Sequence, residues 1–367
     1  MDKKTERNRR FIGNLLTGPF ERHGIIVAPN RIPPGECGLP TAYEDYAVSS
    51  RPVADWVPWA LRNYELQLKT HQTLNDDSVP FVNLTLTTGF FSAAFGCSFL
   101  FFPESTALTE PIVRTPAEAD RLPLPGLNCR PFDRYFELVA LVRQRLGPEA
   151  SISVPDMQSP FDIAALVCDK TNLLAGLHET PEAVKRLVDK CRDLLILFLR
   201  ELKRINPACS MCHYPVIWAP PESGCFVSED EAGSMSSDMF KEFCLPGLTT
   251  LSQTFGGLSV HCCADADHQY PNFMAIPNFR GFNRCFPKNS PGPVPAFRAF
   301  GDKTVFLLNA SFEGAHQYLD QAFPDNRFLF SIEMKPTTPL DKVQKQVDTL
   351  RSRCEGPLHG AGTISPR

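Results

Sequence analysis

Residues 225–263 read Cys225-Phe-Val-Ser-Glu-Asp-Glu-Ala-Gly-Ser-Met-Ser-Ser-Asp-Met-Phe-Lys-Glu-Phe-Cys-Leu-Pro-Gly-Leu-Thr-Thr-Leu-Ser-Gln-Thr-Phe-Gly-Gly-Leu-Ser-Val-His-Cys-Cys263. Cys225-Phe-Val-Ser is a short apolar run of strand character. Ser236 to about Phe255 follows a helical pattern, bent at Pro246. Leu258-Ser-Val-His-Cys-Cys is a strand again. A strand, a helix and a second strand in close succession form a crossover unit, and a crossover makes the two strands parallel.

The same alternation extends in both directions. Upstream, Phe81-Val-Asn-Leu-Thr-Leu-Thr alternates with period two, Ser151-Ile-Ser-Val is a strand, and Tyr214-Pro-Val-Ile-Trp is a further strand candidate. Helical patterns cover 160–175 and the stretch from Thr180-Pro-Glu to about Ile205, where an N-cap, a proline and an acid stand in order. Val184, Leu187, Val188, Cys191, Leu194, Leu195, Phe198 and Leu202 give that helix one apolar face. Downstream come Phe279-Arg-Gly-Phe-Asn, Thr304-Val-Phe-Leu-Leu-Asn and Arg327-Phe-Leu-Phe-Ser-Ile-Glu, then a final helix opened by Thr338-Pro-Leu-Asp. About eight strand candidates of this kind fit a closed (β/α)8 TIM barrel of the α/β class better than an open sheet. Residues 1–75 read as an N-terminal helical and irregular arm packing on the barrel, rich in Pro, Gly and aromatics over 27–58. Residues 76–354 form the barrel, and 355–367, without periodicity, a disordered tail.

The 367 residues are 43% hydrophobic and 21% charged, with a net charge of −4. This is ordinary globular usage without the basic footprint of a nucleic-acid binder. No apolar run approaches the ~20 residues of a bilayer span. The N-terminal segment is charged, and its apolar stretch from Phe11 to Leu16 is broken by Gly13 and Asn14, unlike a secretory leader. A cytoplasmic protein with no membrane or nucleic-acid partner is expected, and a homodimer is the base-rate assembly. In that compartment the 13 cysteines point to free thiols or a metal site, not a disulfide framework. The 28 phenylalanines read first as core.

Barrel active sites lie at the C-terminal ends of the strands. That rule selects Asp156 and Gln158, then Glu229, Asp230 and Glu231, then His261, Cys262 and Cys263, then Cys285, Asn309 and Glu333. Residues two apart on a strand point the same way, so His261 and Cys263 can bind one metal ion together, and imidazole with thiolate is a zinc pair. Glu229, Asp230 and Asp156 are candidate acid–base groups. Gln158 and Asn309 are candidate polar contacts for a bound cofactor or substrate. Cys209-Ser-Met-Cys-His213 matches the c-type haem attachment pattern but leads straight into an apolar segment, so buried packing is the better reading.

Several of these stretches together resemble the uroporphyrinogen decarboxylase superfamily, which also contains cobalamin-dependent methyltransferases. Arg7-Asn-Arg-Arg-Phe-Ile-Gly-Asn-Leu-Leu-Thr-Gly resembles its opening helix, and Asp156-Met-Gln-Ser-Pro-Phe-Asp-Ile-Ala-Ala-Leu its strand–turn–helix. Ser228-Glu-Asp-Glu-Ala-Gly-Ser-Met-Ser with Phe240-Lys-Glu-Phe-Cys-Leu-Pro resembles its Asp-x-Ala-Gly-x-x-Ser…Glu-Phe…Pro block. Val260-His-Cys-Cys-Ala resembles the His-x-Cys-Gly zinc segment of the methyltransferase branch, and Pro336-Thr-Thr-Pro-Leu-Asp-Lys-Val the last strand-to-helix turn.

The resemblance implies zinc-dependent methyl transfer with a corrinoid cofactor (cobalamin) or a corrinoid protein as partner. The branch's third ligand is a Cys just before the last turn, where this chain has Ile332-Glu333. Glu333 or Cys285 would then complete the set with His261 and Cys263. The decarboxylase proper carries an Arg-Gln-Ala-Gly-Arg segment for its substrate's carboxylates. It is absent here, although Arg22, Arg31 and Arg51 stand nearby. The alternatives are porphyrinogen decarboxylation and non-catalytic corrinoid or tetrapyrrole binding.

Overall fold

A computed structural model describes residues 2–39, 46–85, 88–100, 108–286 and 292–355. Six strands make one continuous parallel sheet: β1 (Gly24–Pro29), β4 (Cys225–Ser228), β5 (Leu258–Cys262), β6 (Phe279–Arg284), β7 (Val305–Ala310) and β8 (Arg327–Met334), ordered β1-β8-β7-β6-β5-β4. Short β2 (Ser98–Leu100) and β3 (Leu108–Glu110) pair antiparallel outside it. Two further segments close the circle with isolated parallel bridges, Val82 to Ile152 and Gln158 to Ser228. The Asp77 amide donates to Ile25 O at 2.7 Å on the remaining side. Eight positions thus form a (β/α)8 barrel, as the alternation leads one to expect.

The identity of the strands differs from expectation in two places. β1 lies inside the stretch read as an arm. Its Gly-Ile-Ile-Val-Ala-Pro is buried at every position, the continuous apolar run of a parallel strand covered on both faces. Tyr214–Trp218 is not a strand. Pro215 has no N–H to give a ladder, and the segment turns inward instead, with the neighbouring Ser210 making the bridge to Ser153.

The helices follow the sequence pattern, with two of them divided. The helix read over 160–175 is two, Pro160–Val167 and Lys170–Glu179, the second capped by Asp169 accepting from the Asn172 amide. The bend expected at Pro246 is a break, between Ser237–Phe243 and Leu245–Phe255. Pro181–Ile205 runs unbroken with the expected face buried. The N-terminal helix Lys3–Thr17 sits at the start of the barrel, where Asn8 Nδ2 donates to Asp76 O and Ser78 O at 3.1 and 2.9 Å. Arg22 and Arg351 both pair with Asp77 there, each at 2.8 Å.

Phe90 and Phe91 pack edge-on against Phe198, with ring centroids 5.5 and 5.2 Å apart. They belong to the core, not to a pocket. All thirteen cysteines are free thiols, and only Cys263 and Cys285 are exposed. Among the described residues no helix is long and apolar enough to cross a membrane. The tail expected from 355 falls, beyond Glu355, outside the described residues.

Candidate functional site

The register between β5 and β6 sets Cys262 opposite Arg284 and His261 opposite Asn283. One step past the strand ends, Cys263 therefore stands beside Cys285. Alternation turns His261 inward and carries Cys263 to the same side. A ligand nitrogen of His261 and the two sulfurs of Cys263 and Cys285 all lie within 4.8 Å of one another. One imidazole nitrogen and two thiols form a donor set suited to zinc, with a fourth position left for a substrate.

His261 is held from behind. His261 Nδ1 meets Asn283 Oδ1 at 2.5 Å, and Nε2 faces Cys263 Sγ at 2.8 Å. The Tyr214 ring stands edge-on to the imidazole, centroids 4.9 Å apart. Burial lowers the His261 pKa, against the pull of Asp230 and the Asn283 hydrogen bond, and so favours the neutral ring. The two thiols are coupled by a hydrogen bond. The Cys263 thiol hydrogen-bonds to Cys285 and brings Cys285 down to about 7, while that same bond, then burial, drives Cys263 upward.

Asp230 ties this cluster to the neighbouring strand. Its Oδ1 accepts from the Cys263 amide at 2.5 Å. Its own amide donates to Asp162 Oδ2 at 2.8 Å, and the Glu231 amide donates to Asp162 Oδ1 at 3.1 Å. Asp162 thus braces the acidic turn from the helix Pro160–Val167. Its only trace in the sequence is its place in the quoted 156–166 stretch.

An open cavity of about 540 Å³ lies over the cluster, lined also by Arg31, Asp156, Gln158, His213, Asp230 and Glu333. Burial pushes the Asp156 carboxyl up to about 7, against a hydrogen bond at 2.8 Å from Gln158 Nε2. His213, also buried, has a strongly lowered pKa and lies with Nε2 3.0 Å from Ser228 Oγ and 3.9 Å from Asp156 Oδ1.

The candidate residues therefore divide. His261, Cys263, Cys285, Asp230, Asp156, Gln158 and Glu333 all line the cavity. Glu333 is not among the three clustered donors. Asn309 is not in the cavity lining but touches it, its Nδ2 3.4 Å from Glu333 Oε1. Glu229 does not belong to the cavity lining. Ser228 faces inward, so Glu229 on the next position faces outward, fully buried, and burial raises its pKa to about 8. Arg31, His213, Tyr214 and Asn283 were not singled out from the sequence as site residues. The first three stand in loops, where no strand pattern says which side chains turn inward; Asn283 is on β6, but its place against His261 depends on the register between strands.

A methyltransferase from Methanosarcina mazei has a similar fold: TM-score 0.66 at 14% identity, over 94% of this chain and 98% of that one. No curated protein matches the chain by sequence. The family model for uroporphyrinogen decarboxylase (URO-D) matches residues 64–283, from the helix before the second barrel position to Asn283 on β6, and the chain belongs to that family.

Proposed function

We propose that this chain is a zinc-dependent methyltransferase, moving a methyl group between a corrinoid, free or carried by a partner protein, and a thiol acceptor. The observation that carries the reading is the convergence of His261, Cys263 and Cys285 within 4.8 Å at the mouth of the barrel. Cys285 takes the place the resemblance gives to a thiolate before the last turn, reaching the same donors from β6. A zinc ion held there supplies the Lewis acidity that keeps a bound thiol ionised at neutral pH.

The chain's own groups do the rest. Asn283 orients the His261 ring, and Asp230 holds the Cys263 backbone in place. The Asp156 oxygen not held by Gln158 takes the acceptor's thiol proton, a task suited to a carboxyl with pKa of about 7. The acceptor sulfur then forms its bond to the methyl carbon. The carbon–cobalt bond breaks, and cobalt keeps the electron pair. The similar fold of a protein described as a methyltransferase supports the barrel as a frame for this chemistry.

Porphyrinogen decarboxylation is less well supported. Its substrate needs several cations for its carboxylates. Among the described residues lining the cavity, Arg31 is the sole arginine, and it interacts with the carboxylates of Asp156 and Glu333. Arg22 is engaged by Asp77 at the start of the barrel.

Metal analysis of protein purified without chelator tests the proposal. About one zinc per chain is expected, and less than ~0.2 in folded protein overturns it. An absorbance titration with methylcobalamin, with and without a thiol, then separates turnover from binding alone.

A further inference from the structure

Behind His261 a chain of side-chain amides crosses four strands, and its direction is set by the groups at its ends. Asn283, on β6, is 1% exposed. Its Nδ2 donates to the Leu307 carbonyl on β7 and lies 3.2 Å from Asn309 Oδ1. Asn309 Nδ2 in turn lies 3.4 Å from Glu333 Oε1 on β8. A backbone carbonyl can only accept, and so can an ionised carboxylate. The Asn283 nitrogen must therefore face Leu307, which puts its oxygen on His261 Nδ1 at 2.5 Å. Reversing Asn283 would set oxygen against the oxygens of Leu307 and Asn309.

We infer that Asn283 is a positioning residue that fixes His261 as its Nδ1–H tautomer and leaves the Nε2 lone pair aimed into the donor cluster. Leu307 O anchors the sense of the relay, and Asn309 and Glu333 extend it. Glu333 serves the centre as the far end of this relay, not as a metal ligand. The inference concerns the donor cluster of the proposed function, but it holds for the metal-free protein.

The test uses metal-free, full-length protein labelled with 15N-histidine, with two-bond proton–nitrogen correlations at pH 8. The His261 signals are assigned by their loss in His261→Gln. Wild type is expected to show a protonated Nδ1 and a bare Nε2; a protonated Nε2 overturns the inference without any variant. Asn283→Leu is expected to bring the other tautomer to half the population or more. It should also weaken cobalt(II) binding about 10–100-fold, the usual range for losing such a partner. Asn283→Asp keeps the acceptor on His261 Nδ1 and should restore the tautomer, at a cost in stability from the oxygen it sets against the Leu307 carbonyl.

Unchanged tautomer and affinity in Asn283→Leu would refute the role. Glu333→Gln should leave the cobalt(II) d–d bands unchanged in position and intensity; a changed coordination spectrum would refute the outer placement of Glu333. A wild-type Nδ1–H tautomer in a protein that binds no metal would uphold this inference and defeat the proposed function.

Discussion

The two walls of the cavity are built differently. One wall is ladder: β7 and β8 pair at six successive positions, β4 and β5 at four, and β5 and β6 run in step from Ser259 to Cys262 after a shift at Leu258. The other is stitched by single bridges, Val82 to Ile152 and Gln158 to Ser228. The ladder wall carries the soft donors and their amide supports. The bridged wall, with the loops beside it, carries Arg31, Asp156 and His213. The register held over the last four β5–β6 positions fixes side-chain direction there, so donors from two strands meet. Where the ladder is interrupted, loop backbone enters the ring and brings polar side chains inward. The result is a set of soft donors facing a wall of titratable groups.

The largest expected effect breaks the ladder wall. Cys263→Ser and Cys285→Ser each remove a thiolate from the donor set. Zinc affinity, read by competition with a chromophoric chelator, should fall more than ~100-fold, beyond the range usual for a supporting residue. If Cys285→Ser binds zinc as wild type does, β6 supplies no ligand and the contrast between the walls loses its basis.

An intermediate effect tests the bridged wall. The folded-state pKa of Asp156 is raised from 3.8 to about 7 by burial. The folded chain therefore holds a proton that the unfolded chain releases between these values, and stability falls as pH rises from about 4 to 7. Asp156→Asn removes this slope. The variant should match wild type near pH 4 and exceed it by roughly 1–3 kcal/mol at pH 8, with a full shift as the upper bound. Urea melts across pH measure this, and zinc content should not change. A variant less stable at pH 8 would mean that the ionised carboxylate is favoured by partners in the fold.

The smallest effect on the site is expected outside both walls. Glu229 is fully buried behind β4, its pKa raised to about 8. Glu229→Gln should leave zinc content and methyl-transfer rate within about twofold, while removing a loss of stability between pH 4.5 and 8. A tenfold loss of rate with intact folding would place Glu229 in the chemistry after all.

Much of the barrel was legible because its signals are local. An apolar run, a turn and an amphipathic helix repeat along the chain, and each pair of them forces a parallel crossover. The misreadings share a cause. Gly24–Pro29 lies among prolines that suggest irregular chain, yet closure of the sheet needs a strand beside β8, and its six apolar-compatible positions supply one. Tyr214–Trp218 has strand composition, but Pro215 cannot join a ladder. At the site, His261 and Cys263 were legible as a pair because period-two alternation is a property of one strand.

By itself, the sequence determined the α/β alternation, the end of the barrel where chemistry belongs, and the paired direction of His261 and Cys263. Each follows from backbone periodicity within a single element. Tertiary structure alone decided that Cys285 joins them, that Glu333 stands outside the donor cluster, and that Glu229 faces away. These depend on register between strands and on closure of the ring. Both are set by contacts between residues far apart in the chain, which no local pattern records.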